Sequence, residues 1–106
     1  MRKVKKYNLI FDKDFFKKYK KIGNSFRKQS DKKILRLKED PRNMGKPLFN
    51  VHPNLYELYL NSYRIYYVVQ DSEVRVLLIA IEHKNNQQKF LNQINPKFIQ
   101  KLIDRN

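Results

Sequence analysis

Apolar residues in the first third of the chain repeat at spacings that predict a strand followed by two helices. Residues 4–11 alternate loosely and carry β-forming side chains, which favours a strand. Asp12 or Asp14 can then cap a helix, because an aspartate oxygen accepts the free N–H groups of the first helical turn. The helix that follows carries one apolar stripe at i, i+4 and i+7, formed by Phe15, Tyr19 and Ile22.

A second helix is predicted from about residue 25 to residue 39, after a break at Gly23 and Asn24. Its core-facing side chains are predicted to be Phe26, Ile34 and Leu37. Two amphipathic helices joined by so short a break form a helical hairpin. The other positions of both helices are rich in lysine and arginine, so the outer side of the hairpin should be a positively charged surface.

A loop at residues 40–54 is predicted to lead from the helices to a sheet. It contains four residues that interrupt regular structure, namely Pro41, Gly45, Pro47 and Pro53. Three strand candidates follow, at about 55–60, 63–70 and 73–82. Short turns at 61–62 and 71–72 would join them into an antiparallel meander.

The end of the chain favours helix. Phe90, Leu91 and Ile94 have helical spacing, and Asn95-Pro96 is typical of an N-cap followed by proline at the first helical position. The apolar face of this last helix is predicted from Phe98 and Leu102, joined by Ile99 or Ile103. The predicted order is therefore β-α-α-β-β-β-α, an α+β fold with an antiparallel sheet, a basic N-terminal helical hairpin and a C-terminal helix.

Arg64 stands among tyrosines and valines, and strand geometry indicates which residues share its face. Side chains alternate across a strand, so a two-residue turn in the first hairpin places Tyr59 opposite Arg64. The same register places Glu57 opposite Tyr66. A two-residue turn in the second hairpin adds the odd-numbered residues of the last strand to this face, which are Leu77, Ile79, Ile81 and His83.

The two faces of the predicted sheet differ in polarity. The face opposite Arg64 carries no charged side chain, so it is the expected core face, against which the helical hairpin should pack. The Arg64 face combines polar side chains with an aliphatic floor. Because a fully solvated face would not need that floor, we expect the C-terminal helix to cover part of it and leave a groove.

Two interpretations of Arg64 are open from spacing alone. Arg64 could pair with Glu57 on the neighbouring strand, a common contact that contributes little when exposed. Alternatively, Arg64 could hold a phosphate and stabilise its transition-state charge, while His83 or Glu57 moves protons. The tyrosine rings could also stack on unpaired bases. His83 alone is also compatible with an ordinary residue at a strand end.

Length and composition limit the possible functions. The 106 residues fit a single domain, 1–106. The absence of cysteine excludes disulfides, thiol nucleophiles and cysteine-ligated metal sites. The longest apolar run, residues 76–81, is far short of the ~20 residues that span a bilayer. The N-terminus lacks the apolar region of a signal peptide, so we expect a cytoplasmic protein with no membrane association.

Charge points to a polyanionic partner. The chain has 24 lysine and arginine residues against 10 acidic ones, a net charge of +14, and residues 1–40 alone carry +10. Such a field favours partners that carry phosphates, through neutralisation and counterion release. A basic but otherwise unremarkable soluble surface is the alternative. Nucleic acid, the ribosome or an acidic protein is the better expectation at this net charge.

The segment from Gly45 to Lys84 resembles the RelE/ParE superfamily of toxins from type II toxin–antitoxin systems. The motifs that carry the resemblance are GKPL at 45–48, LYEL at 55–58, YRIYY at 63–67 and an aliphatic strand that ends in His83-Lys84. The predicted order of elements is also that of the superfamily. The resemblance covers about residues 4–91 and leaves 92–106 as a C-terminal helical extension.

The resemblance implies a RelE-like mRNA interferase that enters the ribosomal A site and cleaves the messenger without a metal or other cofactor. The messenger's own 2′-hydroxyl attacks the adjacent phosphate, and the protein supplies positive charge and proton transfer. The catalytic residues that it implies are Arg64, His83, Lys84 and Glu57. The residues expected to contact RNA are Lys46, Tyr59, Tyr66 and Phe90, together with Lys17, Lys21, Arg27 and Lys28 on the helical hairpin.

The sequence departs from the superfamily pattern at several of these positions. Lys84 stands where many members have arginine, and a lysine cannot make the planar two-pronged contact with phosphate. Phe90 stands where others have tyrosine, which keeps the stacking ring and loses the phenol. Glu57 and Tyr59 replace a pair of strand lysines found in the best-known members.

Two functions from different classes are consistent with this pattern. One is a ribosome-dependent endoribonuclease toxin that inhibits translation. The other is a noncatalytic binding module of the same fold, either a gyrase poison or a degenerate toxin retained with its antitoxin. Either function predicts a cognate antitoxin whose acidic or amphipathic segment wraps the basic surface.

Overall fold

The computed structural model describes residues 6–106, so the first two residues of the predicted strand at 4–11 lie outside the described part. The strands are β1 (Asn8–Phe11), β2 (Lys46–Pro47), β3 (Leu55–Leu60), β4 (Tyr63–Gln70) and β5 (Arg75–His83). The helices are α1 (Lys13–Tyr19), α2 (Asn24–Arg36), α3 (Pro41–Met44), α4 (Gln87–Gln93) and α5 (Pro96–Arg105). Among the described residues, no helix is both long and apolar enough to cross a membrane.

The strands form one five-stranded sheet in the order β1-β5-β4-β3-β2. The pairs β3–β4 and β4–β5 are antiparallel, which confirms the predicted meander. The first strand runs parallel to β5 along its outer edge, and the two-residue β2 pairs antiparallel with β3 at the opposite edge. The fold is therefore α+β, as the sequence predicts.

Side-chain caps mark the starts of α1 and α5 where the sequence predicts them. The Asp12 carboxylate accepts the main-chain N–H of Asp14 at 3.1 Å and begins α1. At the other end of the chain, the Asn95 side chain accepts the N–H of Phe98 at 2.9 Å, and Pro96 occupies the first turn of α5. The second helix ends at Arg36, three residues before its predicted end.

The segment at 40–54 contains more regular structure than predicted. Pro41 begins the short helix α3, because proline is favourable in a first helical turn, where its missing N–H leaves no hydrogen bond unmade. After Gly45 the chain is extended, and β2 pairs Lys46 with Glu57. The predicted order β-α-α-β-β-β-α therefore omits α3, β2 and the separate helix α4.

Two apolar clusters lie on opposite faces of the sheet. The cluster below the helical hairpin includes Phe15, Tyr19, Ile34 and Leu37 and most of the predicted core face. The other cluster lies between the sheet and the C-terminal segment, where Ile94, Ile99 and Leu102 are buried. This confirms that the C-terminal helix covers part of the Arg64 face. The prediction that Phe98 faces the core is wrong, since its side chain is 40% exposed and Ile99 is buried instead.

A β-bulge changes which residues share the Arg64 face. Val68 pairs with Leu77 and Tyr67 with Leu78, but the next residue, Tyr66, pairs with Ala80. The extra residue, Ile79, shifts the alternation of β5 by one position. Leu77 and Ile79 remain on the Arg64 face as predicted.

Beyond the bulge, the predicted face assignment is wrong. Glu82 pairs with Arg64, and His83 pairs with Tyr63. Ile81 belongs to the cluster below the helical hairpin, whereas Ala80 packs against the cluster on the Arg64 face. The two-residue turn assumed at 71–72 is a loop of residues 71–74, which preserves the predicted parity only up to the bulge.

The backbone at Gly45 is too close to the core to accept a side chain. An added Cβ would lie 2.4 Å from the Tyr67 hydroxyl oxygen and 3.1 Å from the main-chain oxygen of Glu57. Tyr67 is fully buried, and its hydroxyl donates to the main-chain oxygen of Pro41 at 2.6 Å. We expect Gly45→Ala to lower the free energy of unfolding by about 1–3 kcal/mol, as overpacking does.

Urea denaturation of the purified variants measures this effect. Gly23→Ala is the matched control, because an added Cβ at Gly23 meets no atom within 4 Å. An equal loss in both variants would show that close packing at Gly45 is not the cause.

Candidate active site

Arg64 lies near the start of β4, beside the turn that joins β3 to β4. Its guanidinium carbon is 4.0 Å from the centroid of the Tyr59 ring, directly across the strand pair. Nη1 donates to the main-chain oxygens of Asn61 at 2.9 Å and Tyr63 at 3.0 Å. The stacking and the two carbonyls hold the guanidinium at this end of the sheet.

Part of the Arg64 guanidinium remains available to hydrogen-bond a ligand. Among residues 6–106, no hydrogen bond uses Nη2, and the buried Nε has no acceptor. Buried donors without acceptors are rare in folded proteins and often mark a functional site. A phosphate oxygen is a suitable acceptor for the N–H groups of Nη2.

The predicted pairing of Arg64 with Glu57 is not formed. The Glu57 side chain is 2% exposed, and its Oε2 accepts from the Tyr66 hydroxyl at 2.7 Å and from Gln87 Nε2 at 2.8 Å. The bulky ring of Tyr66 and the helix α4 enclose the carboxylate. Glu57 therefore joins the sheet to α4 in this conformation and has little contact with solvent.

The Tyr66 side chain is buried beneath the site, where its hydroxyl donates to Glu57. Burial raises the pKa of the Tyr66 phenol, and the hydrogen bond to Glu57 raises it further, so the phenol stays protonated as a donor. The Tyr66 ring is 4.5 Å from the ring of Phe90 on α4. The prediction that Tyr66 contacts RNA is wrong for this conformation, because its side chain is fully buried.

His83 lies at the same end of the sheet as Arg64 but on the opposite face. Its ring meets Tyr63 edge to face at 5.2 Å between centroids. Nδ1 accepts the main-chain N–H of Asn85 at 3.1 Å, at the start of a 3-10 turn formed by residues 84–86. In the neutral tautomer that this bond selects, Nε2 carries the proton and can donate a hydrogen bond.

Lys84 directly follows β5 and Lys46 lies on β2, so the two lysines stand on either side of β4, which carries Arg64. The Lys84 main-chain N–H donates to the Ser62 oxygen at 2.6 Å, which fixes the end of β5 to the β3–β4 turn. The Lys84 side chain is exposed. Lys46 pairs with Glu57 in the sheet register and is also exposed. Both side chains are therefore open to solvent, where a polyanion could contact them.

The basic residues of the helical hairpin form a separate surface. Lys17, Lys21 and Lys28 are exposed, whereas Arg27 is half-buried and hydrogen-bonded to Asn24. The hairpin packs on the sheet face opposite Arg64. These lysines therefore suit a wider contact with a polyanion and do not line the Arg64 site.

Two residues of the site region are not predicted from the sequence, namely Glu82, which pairs with Arg64, and Gln87, which donates to Glu57. Glu82 reaches the Arg64 face only because of the bulge, which has no marker in the sequence. Gln87 precedes Phe90 and Leu91 by three and four residues, so helical periodicity could have placed it on the same face of α4. In the described part of the chain, no group of three or more histidines and carboxylates could hold a metal ion.

Most of the chain matches one known protein family. Residues 7–88 match the family model described as the ParE toxin of the type II toxin–antitoxin system, parDE. The chain belongs to the ParE toxin family. This family match confirms the resemblance seen in the sequence motifs and spans the sheet, the helical hairpin and the start of α4.

Relatives of this ParE-family toxin are found among the RelE proteins. The mRNA interferase toxin RelE of Escherichia coli K12 is 31% identical over 86 residues, which cover 79% of this chain and 90% of RelE. The crystal structure of the isolated E. coli RelE toxin superposes with a TM-score of 0.65 at 32% identity, and covers 73% of this chain and 83% of that one. The intact E. coli RelBE toxin–antitoxin complex gives 0.65 at 34%, covering 73% and 95%.

Proposed function

We propose that this ParE-family toxin is an mRNA endoribonuclease that inhibits translation, as the name of its RelE relative indicates for that protein. The observation that carries the proposal is the Arg64 guanidinium, held on Tyr59 with unused donors at the end of a sheet with exposed lysines. Residues 4–91 would form the toxin core, with 92–106 as an extension. A metal ion or other cofactor is not needed for the chemistry proposed below.

The arrangement favours a substrate phosphate at the end of the sheet. Arg64 approaches from one face, His83 from the other, and Lys84 extends beyond the end of β5. When the 2′-hydroxyl of RNA attacks the adjacent phosphate, Arg64 and Lys84 would stabilise the developing negative charge. The attacking 2′-hydroxyl would lose its proton to a water molecule, and the departing 5′ oxygen would take a proton from water while the Nε2–H of His83 stabilises it through a hydrogen bond.

Glu57 is proposed to act mainly through the groups that it holds. Its carboxylate orients the Tyr66 hydroxyl and Gln87, and through them the stacking ring of Phe90. A role as a base would require α4 to move away, because the carboxylate is 2% exposed.

Replacement of Glu57 by glutamine separates these two roles. The amide keeps the size and one acceptor oxygen, so we expect messenger cleavage to fall less than tenfold while the melting temperature drops by a few degrees. Single-turnover cleavage and thermal melts of the purified protein measure both. A loss of cleavage by a hundredfold or more without loss of stability would identify Glu57 as the base.

The expected partners are a cognate antitoxin and the ribosome with its messenger. RelE appears with the antitoxin RelB in the E. coli RelBE complex. The net charge of +14 and the exposed lysines of the helical hairpin suit both ribosomal RNA and an acidic antitoxin segment. A protein with these partners would act in the cytoplasm.

A second function of the same fold is a gyrase poison. It is favoured by the match to the ParE family model and by Phe90, which lacks a phenol for proton transfer. Purified protein added separately to ribosomes translating a defined messenger and to a gyrase supercoiling reaction distinguishes the two. We expect messenger cuts and unaffected supercoiling. Blocked supercoiling with an intact messenger would replace the nuclease by the gyrase poison.

A further inference from the structure

Within residues 6–106, Arg64 forms no ion pair with a carboxylate. Two carboxylates lie near it in the sheet, and each is held by another donor. Glu57 accepts from the Tyr66 hydroxyl at 2.7 Å. Glu82, which pairs with Arg64 across β4 and β5, accepts from Lys18 Nζ at 2.8 Å. The positive charge of Arg64 is therefore not offset by an ion pair and stays available to a phosphate.

An aromatic ring contacts Arg64 where a carboxylate would otherwise fit. Tyr59 lies directly opposite Arg64 in the pairing of β3 with β4, and the Arg64 Cζ is 4.0 Å from the centroid of the Tyr59 ring. An aromatic ring attracts a cation through the electrostatics of its face. A carboxylate would instead hold the guanidinium by accepting from its N–H groups and cancelling its charge. The ring therefore holds the guanidinium and leaves both its charge and its donors unused.

The turn between β3 and β4 fixes a second point of the same guanidinium. Arg64 Nη1 donates to the main-chain oxygens of Asn61 at 2.9 Å and Tyr63 at 3.0 Å. Asn61 has a φ of 54°, a left-handed conformation that asparagine adopts more readily than most residues. With Nη1 bound to the turn and Cζ against the Tyr59 ring, Nη2 is the end of the group that no described residue uses.

We propose that Tyr59 is a positioning residue for the reaction, whose ring holds the Arg64 guanidinium so that Nη2 meets the RNA phosphate. This inference rests on the proposed function. An arginine side chain has many rotamers, so without the ring the guanidinium would spread over several positions, only some of which reach the phosphate. A donor that stabilises developing charge must be aligned before the reaction. Loss of the ring should therefore slow cleavage more than it weakens RNA binding, and the Tyr59 hydroxyl has no part in this role.

Two substitutions at Tyr59 separate the ring from the hydroxyl in single-turnover cleavage with purified ribosomes. Tyr59→Phe keeps the ring and should cleave within about twofold of the unmodified protein. Tyr59→Leu keeps an apolar side chain without the ring and should lower the maximal rate about tenfold, in the range for loss of a contact between a cation and an aromatic ring. The concentration that gives half the maximal rate should change less than about twofold. Unchanged cleavage by Tyr59→Leu, or an equal loss in Tyr59→Phe, would overturn the proposal.

Phe16→Leu is the matched control for loss of an exposed ring. Phe16 lies on α1 and is 49% exposed, against 47% for Tyr59. Lys20 Nζ lies 5.4 Å from the centroid of the Phe16 ring, so this ring also has a cation over its face. We expect Phe16→Leu to cleave like the unmodified protein, and thermal melts check that every variant is folded. The same loss of cleavage in Phe16→Leu and Tyr59→Leu would contradict a specific role for Tyr59.

The NMR signal of the Arg64 Nε–H reports the position of the guanidinium without any cleavage. A proton near the face of an aromatic ring resonates upfield, and Arg64→Lys identifies the signal by removing it. We expect the upfield position in the unmodified protein and in Tyr59→Phe, and the ordinary arginine position in Tyr59→Leu. One and the same position in all of these proteins would show that the ring does not hold the guanidinium in solution.

Titration with inorganic phosphate separates this proposal from the nuclease itself. Cuts by the unmodified protein and by Tyr59→Phe, with the loss confined to Tyr59→Leu, would support both proposals. Equal cuts by all three would contradict the positioning role while the nuclease stands. Without cuts by the unmodified protein the nuclease is wrong, and phosphate then decides the positioning role. Phosphate should shift the Arg64 signal at a lower concentration in the unmodified protein than in Tyr59→Leu, and equal concentrations would overturn the role.

Discussion

Arg64→Ala is expected to abolish growth arrest and to reduce messenger cleavage by at least about 10²–10³-fold, the effect of removing one preorganised donor that stabilises developing charge. The residue offers its unused Nη2 to a phosphate, and position 84 carries a lysine and not a second arginine that could replace it. Single-turnover cleavage with purified ribosomes measures the loss directly.

The same substitution should have only a small effect on stability. The half-buried Arg64 contacts two turn carbonyls and the exposed ring of Tyr59, and such contacts contribute little to folding. Arg64→Lys should retain part of the activity, because the charge remains and the planar guanidinium is lost. Arg75→Ala, at the other end of β5, is the matched control and should cut normally. Full cleavage by Arg64→Ala would remove Arg64 from the active site.

Arg105→Ala is expected to destabilise the fold by about 2–3 kcal/mol, because it removes the main partner of a buried carboxylate. Arg105 donates to both oxygens of Asp12, from Nε at 2.8 Å and from Nη2 at 2.6 Å, and Asp12 is 0% exposed. Breaking a buried pair costs more than breaking an exposed one, and the value is reduced here because the Arg105 side chain is 37% exposed. Urea denaturation at pH 7 measures the loss.

The cost of Arg105→Ala should depend on pH. Burial alone would raise the pKa of Asp12, but hydrogen bonds from Arg105, Asn106 and the Asp14 N–H outweigh it and hold the pKa below its ordinary value of 3.8. A carboxyl with a lowered pKa stabilises the fold fully above its unfolded-state pKa, and this contribution disappears as pH falls through the folded-state pKa. The difference between Arg105→Ala and the unmodified protein should therefore be largest near pH 7 and shrink below about pH 4.

Asp14→Asn provides the matched control for the buried pair. Asp14 accepts from the same Arg105 Nη2 at 2.8 Å, but its side chain is 68% exposed. Its loss should cost less than about 1 kcal/mol. Equal costs for Asp14→Asn and Arg105→Ala would show that the buried Asp12 contact is not what holds α5 to the start of α1.

Much of the fold could be predicted because its signals are local. Strand alternation and turn residues place β3 and β4 to within a residue, and Asp12 and Asn95 mark helix starts by the hydrogen bonds that their side chains accept. The apolar stripe of Phe15 and Tyr19 identifies the side of the hairpin that packs on the sheet.

The arrangement of the candidate site could be predicted only in part. The opposition of Tyr59 and Arg64 follows from turn parity and is confirmed. The bulge at Ile79 belongs to the pairing of β5 with β4, just past the last residue that pairs with β1, so no local pattern shows that His83 turns away from Arg64 and Glu82 turns towards it. The burial of Glu57 depends on α4, which folds back over the sheet from a distant part of the chain.

Messenger 5′-end mapping, in the first minutes after induced expression of the unmodified chain and of Arg64→Ala, directly tests whether the protein cleaves RNA through Arg64. We expect cuts at a fixed position within codons, together with growth arrest, for the unmodified chain alone. Growth arrest with DNA breaks and no cut messengers would contradict this expectation, and so would equal cutting by the Arg64→Ala variant.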